Sequence, residues 1–169
     1  MKRGIILIVV ILVIAVLFVW WYNQQGNTII SNPPEDWEQY AQTRIQEELI
    51  QTQSDFAIFP KNYILERGNS LKMSAGIKND ASDGQAHNFV INIIPNSVSQ
   101  QNWVIWDTAD YEIQANKTRF ITIIVEPPTS VTEGTYTFNI LACKDMKNSD
   151  CTLHNYNWGT PQQLSLTLK

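Results

Sequence analysis

Gly134-Thr135-Tyr136-Thr137-Phe138-Asn139-Ile140-Leu141-Ala142-Cys143 is the stretch whose reading decides the fold. Tyr136, Phe138, Ile140 and Ala142 fall on alternate positions, the period of a strand that turns one face to a core. Upstream, Phe120-Ile121-Thr122-Ile123-Ile124-Val125 is apolar enough for the middle of a sheet, and Pro127-Pro128 ends it because proline has no N–H to give a ladder. The pattern continues backwards through Tyr111 and Ile113, Trp103 to Trp106, and Phe89 to Ile94 before Pro95. Leu71, Met73, Ala75 and Ile77 alternate with Lys72, Ser74 and Lys78, which predicts one buried and one wet face. Phe56, Ile58 and Tyr63-Ile64-Leu65 read as one strand broken by Pro60, a residue that suits a sheet edge. Downstream, Leu164, Leu166 and Leu168 give a last strand. Strands this short, with turn residues at intervals of about ten, predict a mainly β sandwich of about seven or eight strands over residues 54–169.

The Pro-containing loop, then Glu133-Gly134-Thr135-Tyr136, then alternating apolar residues resembles the penultimate strand of immunoglobulin-like sandwiches. The resemblance implies that Tyr136 forms a tyrosine corner, its hydroxyl bonded to upstream backbone. The longer run from Ala115-Asn116-Lys117-Thr118 through Glu126-Pro127-Pro128 is similar to fibronectin III-like or CARDB-like modules of prokaryotic, in particular archaeal, surface proteins. That fold hosts many unrelated tasks, so the resemblance implies architecture and surface exposure rather than one activity.

Ahead of the sandwich, Ile5 to Tyr22 carries no charge and, at 1.5 Å per helical residue, extends roughly 27 Å, close to the apolar thickness of a bilayer. Lys2 and Arg3 precede it, and Val19-Trp20-Trp21-Tyr22 closes it with an aromatic belt. These features predict a single-pass anchor in the lipid bilayer of the cell membrane, with the N-terminus cytoplasmic and the C-terminal domain extracytoplasmic. A cleaved signal peptide would need small residues where Trp-Trp-Tyr stands, so an uncleaved anchor is expected. Lys2-Arg3-Gly4-Ile5 also resembles the basic-Gly leader of archaeal type IV pilins and archaellins, which implies processing after Gly4, although the apolar run is shorter than in those families and lacks the early Glu of bacterial-type pilins.

Residues 1–22 are thus read as tip and membrane helix, and 23–53 as linker and amphipathic helix. Asn32 suits an N-cap and Pro33 a first turn, with a helix expected from Pro33 to Thr52. Trp37, Tyr40, Ala41, Ile45 and Leu49 recur at three and four, so one face has to be buried, against the chain's own sandwich or against a partner.

Beyond Tyr22 there are 16 acidic against 10 basic residues, a net charge of −6, which disfavours nucleic acid. Cys143 and Cys151, on the translocated side, are expected to form a disulfide. Two cysteines eight apart with His154 nearby are too few ligands for a metal centre, and Glu35, Asp36 and Glu38 suit a helix dipole better than calcium. No nucleophile with its base, Gly-x-Ser-x-Gly, His-Glu-x-x-His or phosphate-binding glycine loop occurs, so no enzyme and no cofactor is expected. His87 and His154 are expected in solvent-facing loops. Trp103 and Trp106, on one strand, should face opposite ways. Tyr156 and Trp158, in a loop after the disulfide, are the candidate contact patch, and Asn116-Lys117-Thr118 is a glycosylation sequon.

The function expected is a non-catalytic binding or adhesion module whose partner is another envelope or surface protein, or copies of itself. A pilin-like filament subunit and an accessory subunit of a membrane complex are the alternatives.

Overall fold

The computed structural model describes residues 35–169. The apolar stretch Ile5–Tyr22, the Lys2-Arg3-Gly4-Ile5 leader, the linker and the Asn32-Pro33 helix start lie outside the described residues. Among the described residues no helix is long and apolar enough to cross a membrane.

One helix, α1 (Trp37–Gln51), precedes nine strands: β1 (Phe56–Phe59), β2 (Asn62–Leu65), β3 (Leu71–Lys78), β4 (His87–Pro95), β5 (Val104–Trp106), β6 (Tyr111–Ile113), β7 (Thr118–Val125), β8 (Gly134–Lys144) and β9 (Trp158–Leu168). They form a four-stranded sheet in the order β1-β3-β7-β5 and a five-stranded sheet in the order β2-β9-β8-β4-β6. Between the sheets lies a core that includes Phe56, Ile58, Met73, Ile77, Phe89, Ile91, Ile123, Phe138, Ile140 and Leu164, each no more than 1 % exposed. β7 and β8 occupy sheet interiors, as their apolar runs require.

The stretch around Pro60 is two strands rather than one broken strand. β1 pairs antiparallel with β3, while β2 pairs parallel with β9 in the other sheet. Pro60 and Lys61 carry the chain across, and both strands are edges, where a residue without an N–H breaks no ladder.

The wet face expected of β3 is largely dry. Ser74 and Gly76, on that face, are buried because α1 lies across the outside of β1 and β3, while Met73 and Ala75 face the core between the sheets. Ala41, Ile45 and Leu49 form the buried stripe of α1, and Ile45 and Leu49 cluster with Ala57, Phe59 and Phe120. The amphipathic face is therefore spent on the chain's own sheet. The helix starts at Trp37, later than Pro33, and Asp36 stands at its N-cap with no side-chain capping bond. The Trp37 indole donates instead to Lys72 O in β3, which fixes the start of α1 to the start of that strand.

The outer face of the five-stranded sheet has a smaller cover. Val90, Leu141, Cys143 and Cys151 form a second buried cluster, with Ile94 and Met146 against it. Trp103 lies in a 3-10 turn (Val98–Trp103) rather than on β5, which cancels the expected alternation. Trp103 is buried, and Trp106 also packs on the core and donates to Ile91 O (3.0 Å).

Candidate functional site

The strand directions sort the loops onto two ends of the sandwich. β3 and β8 begin at one end, where α1 also begins and where β7, β9 and the chain itself finish. That end holds the β2–β3 and β7–β8 connections, tied together by Arg67 and Glu133 (2.9 Å), while Arg67 N donates to Lys169 O (3.1 Å) beyond β9. Here the Tyr136 hydroxyl donates to Thr132 O at 2.8 Å, the geometry of a tyrosine corner, and its ring packs on Trp103 at 4.8 Å. The opposite end, about 26 Å away along eight residues of β3, holds the β3–β4, β6–β7 and β8–β9 connections.

The opposite end is organised from Asn79, which is fully buried. Its side-chain amide donates to Gln85 O and Ile113 O, both at 2.8 Å, and its carbonyl oxygen accepts from Ala81 N (3.2 Å). Its backbone bonds to Lys117 O and Asn116 N pin the β6–β7 turn. Asn116 is exposed there with φ 59°, so the sequon occupies a tight, solvent-facing turn. The side-chain amide of Asn79 thus has partners for both donor and acceptor, and one residue joins the β3–β4 and β6–β7 connections.

The β8–β9 connection is stapled by the Cys143–Cys151 disulfide. Asn92 donates to Cys151 O (2.7 Å) and Asn148 to Ile91 O (2.6 Å), pulling the loop down over Val90 and Leu141. Asn157 closes its other limb by exchanging two bonds with the backbone of Lys144, at 2.7 and 3.0 Å.

Tyr156 and Trp158 do different work. Trp158 opens β9, packs edge-on against Phe89 (5.1 Å) and donates to Lys78 O (2.9 Å), with the Lys144 ammonium over its ring at 5.2 Å. It plugs the mouth of the core. Tyr156 remains exposed on the loop, as does Leu153, each at 41 %. They are two of the few large apolar side chains exposed at this end. The geometry between Gly159 and Phe56 fixes where the plug sits: Gly159 has φ +63°, and a Cβ there would lie 2.7 Å from Phe56 Cβ.

His87 is not in a turn but at the first position of β4, with 14 % of its side chain exposed. Its Nδ1 lies 2.7 Å from Asp145 Oδ2 and its Nε2 lies 2.9 Å from Asp83 Oδ2. The bond with Asp83, with help from Asp145, raises the imidazole above its ordinary 6.5 despite some desolvation. Asp83 is lowered, first by the N–H of Gln85 and then by His87. Asp83 and His87 are four residues apart, but Asp145 lies on another strand's end, so no local spacing announces the trio. An open cleft between the end of α1 and the end of β3 is lined by Leu49, Ile50, Gln53, Asp55, Lys78 and Asp80, and Asp55 there is raised by burial and then by the nearby Asp80. Among the described residues no three His, Cys, Asp or Glu side chains gather so as to hold a metal ion. The arrangement thus offers shape, exposed apolar side chains and hydrogen bonds.

No protein family matches the chain, and no curated protein matches it. Solved structures do resemble it. They include a family 123 glycoside hydrolase from Clostridium perfringens (12 % identity, TM-score 0.47, 64 % of this chain and 22 % of that one). The periplasmic chaperone SfaE is similar at 13 % identity and TM-score 0.42, over 68 % of this chain and 57 % of its own. A mutant of the SrpA adhesin from Streptococcus sanguinis is similar at 14 % identity and TM-score 0.46, over 69 % and 59 %. The chain spans less than two thirds of the length of each of these three. What the chain is similar to is therefore a set of β-rich domains, several of them from chaperones and adhesins, and its architecture rests on its own two sheets.

Proposed function

We propose that this chain is a membrane-anchored, extracytoplasmic, non-catalytic interaction module that presents the end of its sandwich bearing the disulfide loop to a protein partner. The observation that carries the reading is the sorting of the two ends. The uncharged stretch before the linker joins the domain at the start of α1, and the stapled loop, Leu153, Tyr156 and the Asn116 turn lie at the other end. A domain tethered in this way holds its loops away from the bilayer, where another envelope or surface protein can reach them. The docking of α1 on its own sheet favours this reading over an accessory subunit that uses the same helix face to bind a larger complex.

Topology is the first test. Gln114→Cys places one new thiol in a chain whose native cysteines are paired, at the exposed far end. A membrane-impermeant maleimide should label it on intact cells; labelling only after lysis would sink the reading. N-terminal sequencing of the same material separates it from the filament alternative, since a chain that begins at Ile5 has lost a leader. For the binding face, a photo-crosslinker at position 156 should give adducts in intact cells that one at Val98, 80 % exposed at the tethered end, does not.

A self-associating form of the reading has its own observation. β5 is an edge strand with no charged residue, and its outward Ile105 is 54 % exposed. Dimers of the full chain in detergent that Ile105→Lys converts to monomers would support it, whereas dimers insensitive to that change would remove it.

A further inference from the structure

The trio at the far end has a property that follows from its geometry alone. Both ring nitrogens of His87 face carboxylate oxygens at hydrogen-bond distance, 2.7 Å to Asp145 and 2.9 Å to Asp83. Ionised carboxylates only accept, and a neutral imidazole has one N–H to give. Neither neutral tautomer can therefore satisfy both contacts; the imidazolium satisfies both. Little of the side chain is open to water that could mediate the second one.

We propose that His87 is a proton-operated clasp that joins the disulfide loop to the β3–β4 turn, holding the far-end rim in one arrangement while charged and releasing one side of it when neutral. The proposal rests on the preceding reading only in naming the surface that the clasp would regulate. The clasp itself is a property of the described residues.

The elements around His87 supply the opposing charges. The β3–β4 turn contributes Asp83, and the end of β8 contributes Asp145 and Lys144, whose ammonium favours the ionised form of Asp83. On β6, Glu112 pairs with Asn88 and, by strand alternation, belongs to the face away from His87. β9 brings the Trp158 indole rather than a charge. Asp145 is the hinge of the arrangement. It has φ 53°, its N–H donates to Asn88 O (2.7 Å), and its Oδ1 accepts from Asn88 N (3.1 Å). Loss of the His87 proton thus removes one contact of two, and the two bonds with Asn88 keep the β8 end in place. The Cys143–Cys151 bond, with Asn148 on Ile91 O and Asn79 on Ala81 and Gln85, limits any movement to local shifts within the rim segments 80–86 and 145–150.

The sequence holds two histidines, so the His87 ring gives one of two imidazole signals. Proton–carbon NMR of the full chain in mild detergent, labelled on histidine and backbone, follows both rings across neutral pH. His87 should titrate above the ordinary 6.5, and amide signals of segments 80–86 and 145–150 should move with the His87 midpoint. Asp145→Asn keeps an acceptor for Asn88 N but removes the charge, so it should lower the His87 midpoint and shrink the response of 145–150. His87→Asn should abolish the pH response of both segments while leaving the remaining amide pattern intact. A His87 midpoint at or below the ordinary 6.5 would overturn the clasp. So would a high midpoint with rim amides that ignore it, since the pair would then be static. Neither failure bears on the membrane topology, which the maleimide test reads separately.

Discussion

Gly76 shows how much a single hydrogen can decide. A Cβ built there would sit 2.4 Å from Ile45 Cγ2, so the glycine is what lets α1 approach β3 closely enough to bury Ala41, Ile45 and Leu49. Gly76→Ala should destabilise the fold by about 1–3 kcal/mol in urea unfolding, the usual cost of overpacking. Adding Ile45→Ala should recover part of the Gly76→Ala cost, giving a coupling of opposite sign to the single effects. The alternation of Leu71, Met73, Ala75 and Ile77 was enough to identify this strand, but nothing local to it shows that its other face would be covered by a helix some thirty residues earlier. At the other end, Tyr136→Phe removes the bond to Thr132 O and should cost about 1 kcal/mol without changing the core, since the ring against Trp103 is kept. The Glu-Gly-Thr-Tyr pattern made that residue legible because the corner is local; the His87 trio was not, because its third member comes from 58 residues away.

At the scale of elements, the stapled loop is best understood as the outer cover of the β4–β8 pair. Replacing both cysteines with alanine should lower stability by about 2.5 kcal/mol on loop-closure grounds, since they lie eight positions apart, and should expose Leu141 and Val90 to a dye such as ANS. A loss well below that, with no added dye binding, would mean that Asn92, Asn148 and Asn157 hold the cover unaided. The strands themselves were legible from period two, with β6 and the core of β7 and β8 in place. Three features escaped. The crossing at Pro60 needs knowledge of which sheet each half joins. Trp103 was assigned to a strand because a 3-10 turn of polar residues leaves little periodic trace. Trp158 read as loop because β9 carries an irregularity between its two paired stretches, where Gly159 and Pro161 interrupt the alternation.

For the whole molecule, the ionisable groups at the far end set how stability varies with pH. The folded state raises His87 above 6.5, so its contribution is complete below that value and is lost as pH rises through the folded pKa. Asp83 is held below 3.8, so its contribution is complete above that value and is lost as pH falls through the folded pKa. Tyr111, pushed up to about 12 by burial and then by Asp107, adds a loss in strong alkali. Melting temperature against pH should therefore plateau in mildly acidic buffer and fall through neutrality, and His87→Asn should flatten the neutral decline; a wild-type curve already flat between pH 5 and 8 would contradict this. The parallel pairing of β2 with β9 carries a consequence of another kind, one of timing. Tyr63 lies beside Leu166, about a hundred residues on, so this contact closes a very long loop and comes with the entropic delay of one. A chain emerging N-terminus first would have nearly all its strands outside before the second one found its neighbour. β9 is the strand that completes the sheet, and shortening it by a few residues should be felt first at Tyr63 and Leu65, far upstream in the sequence.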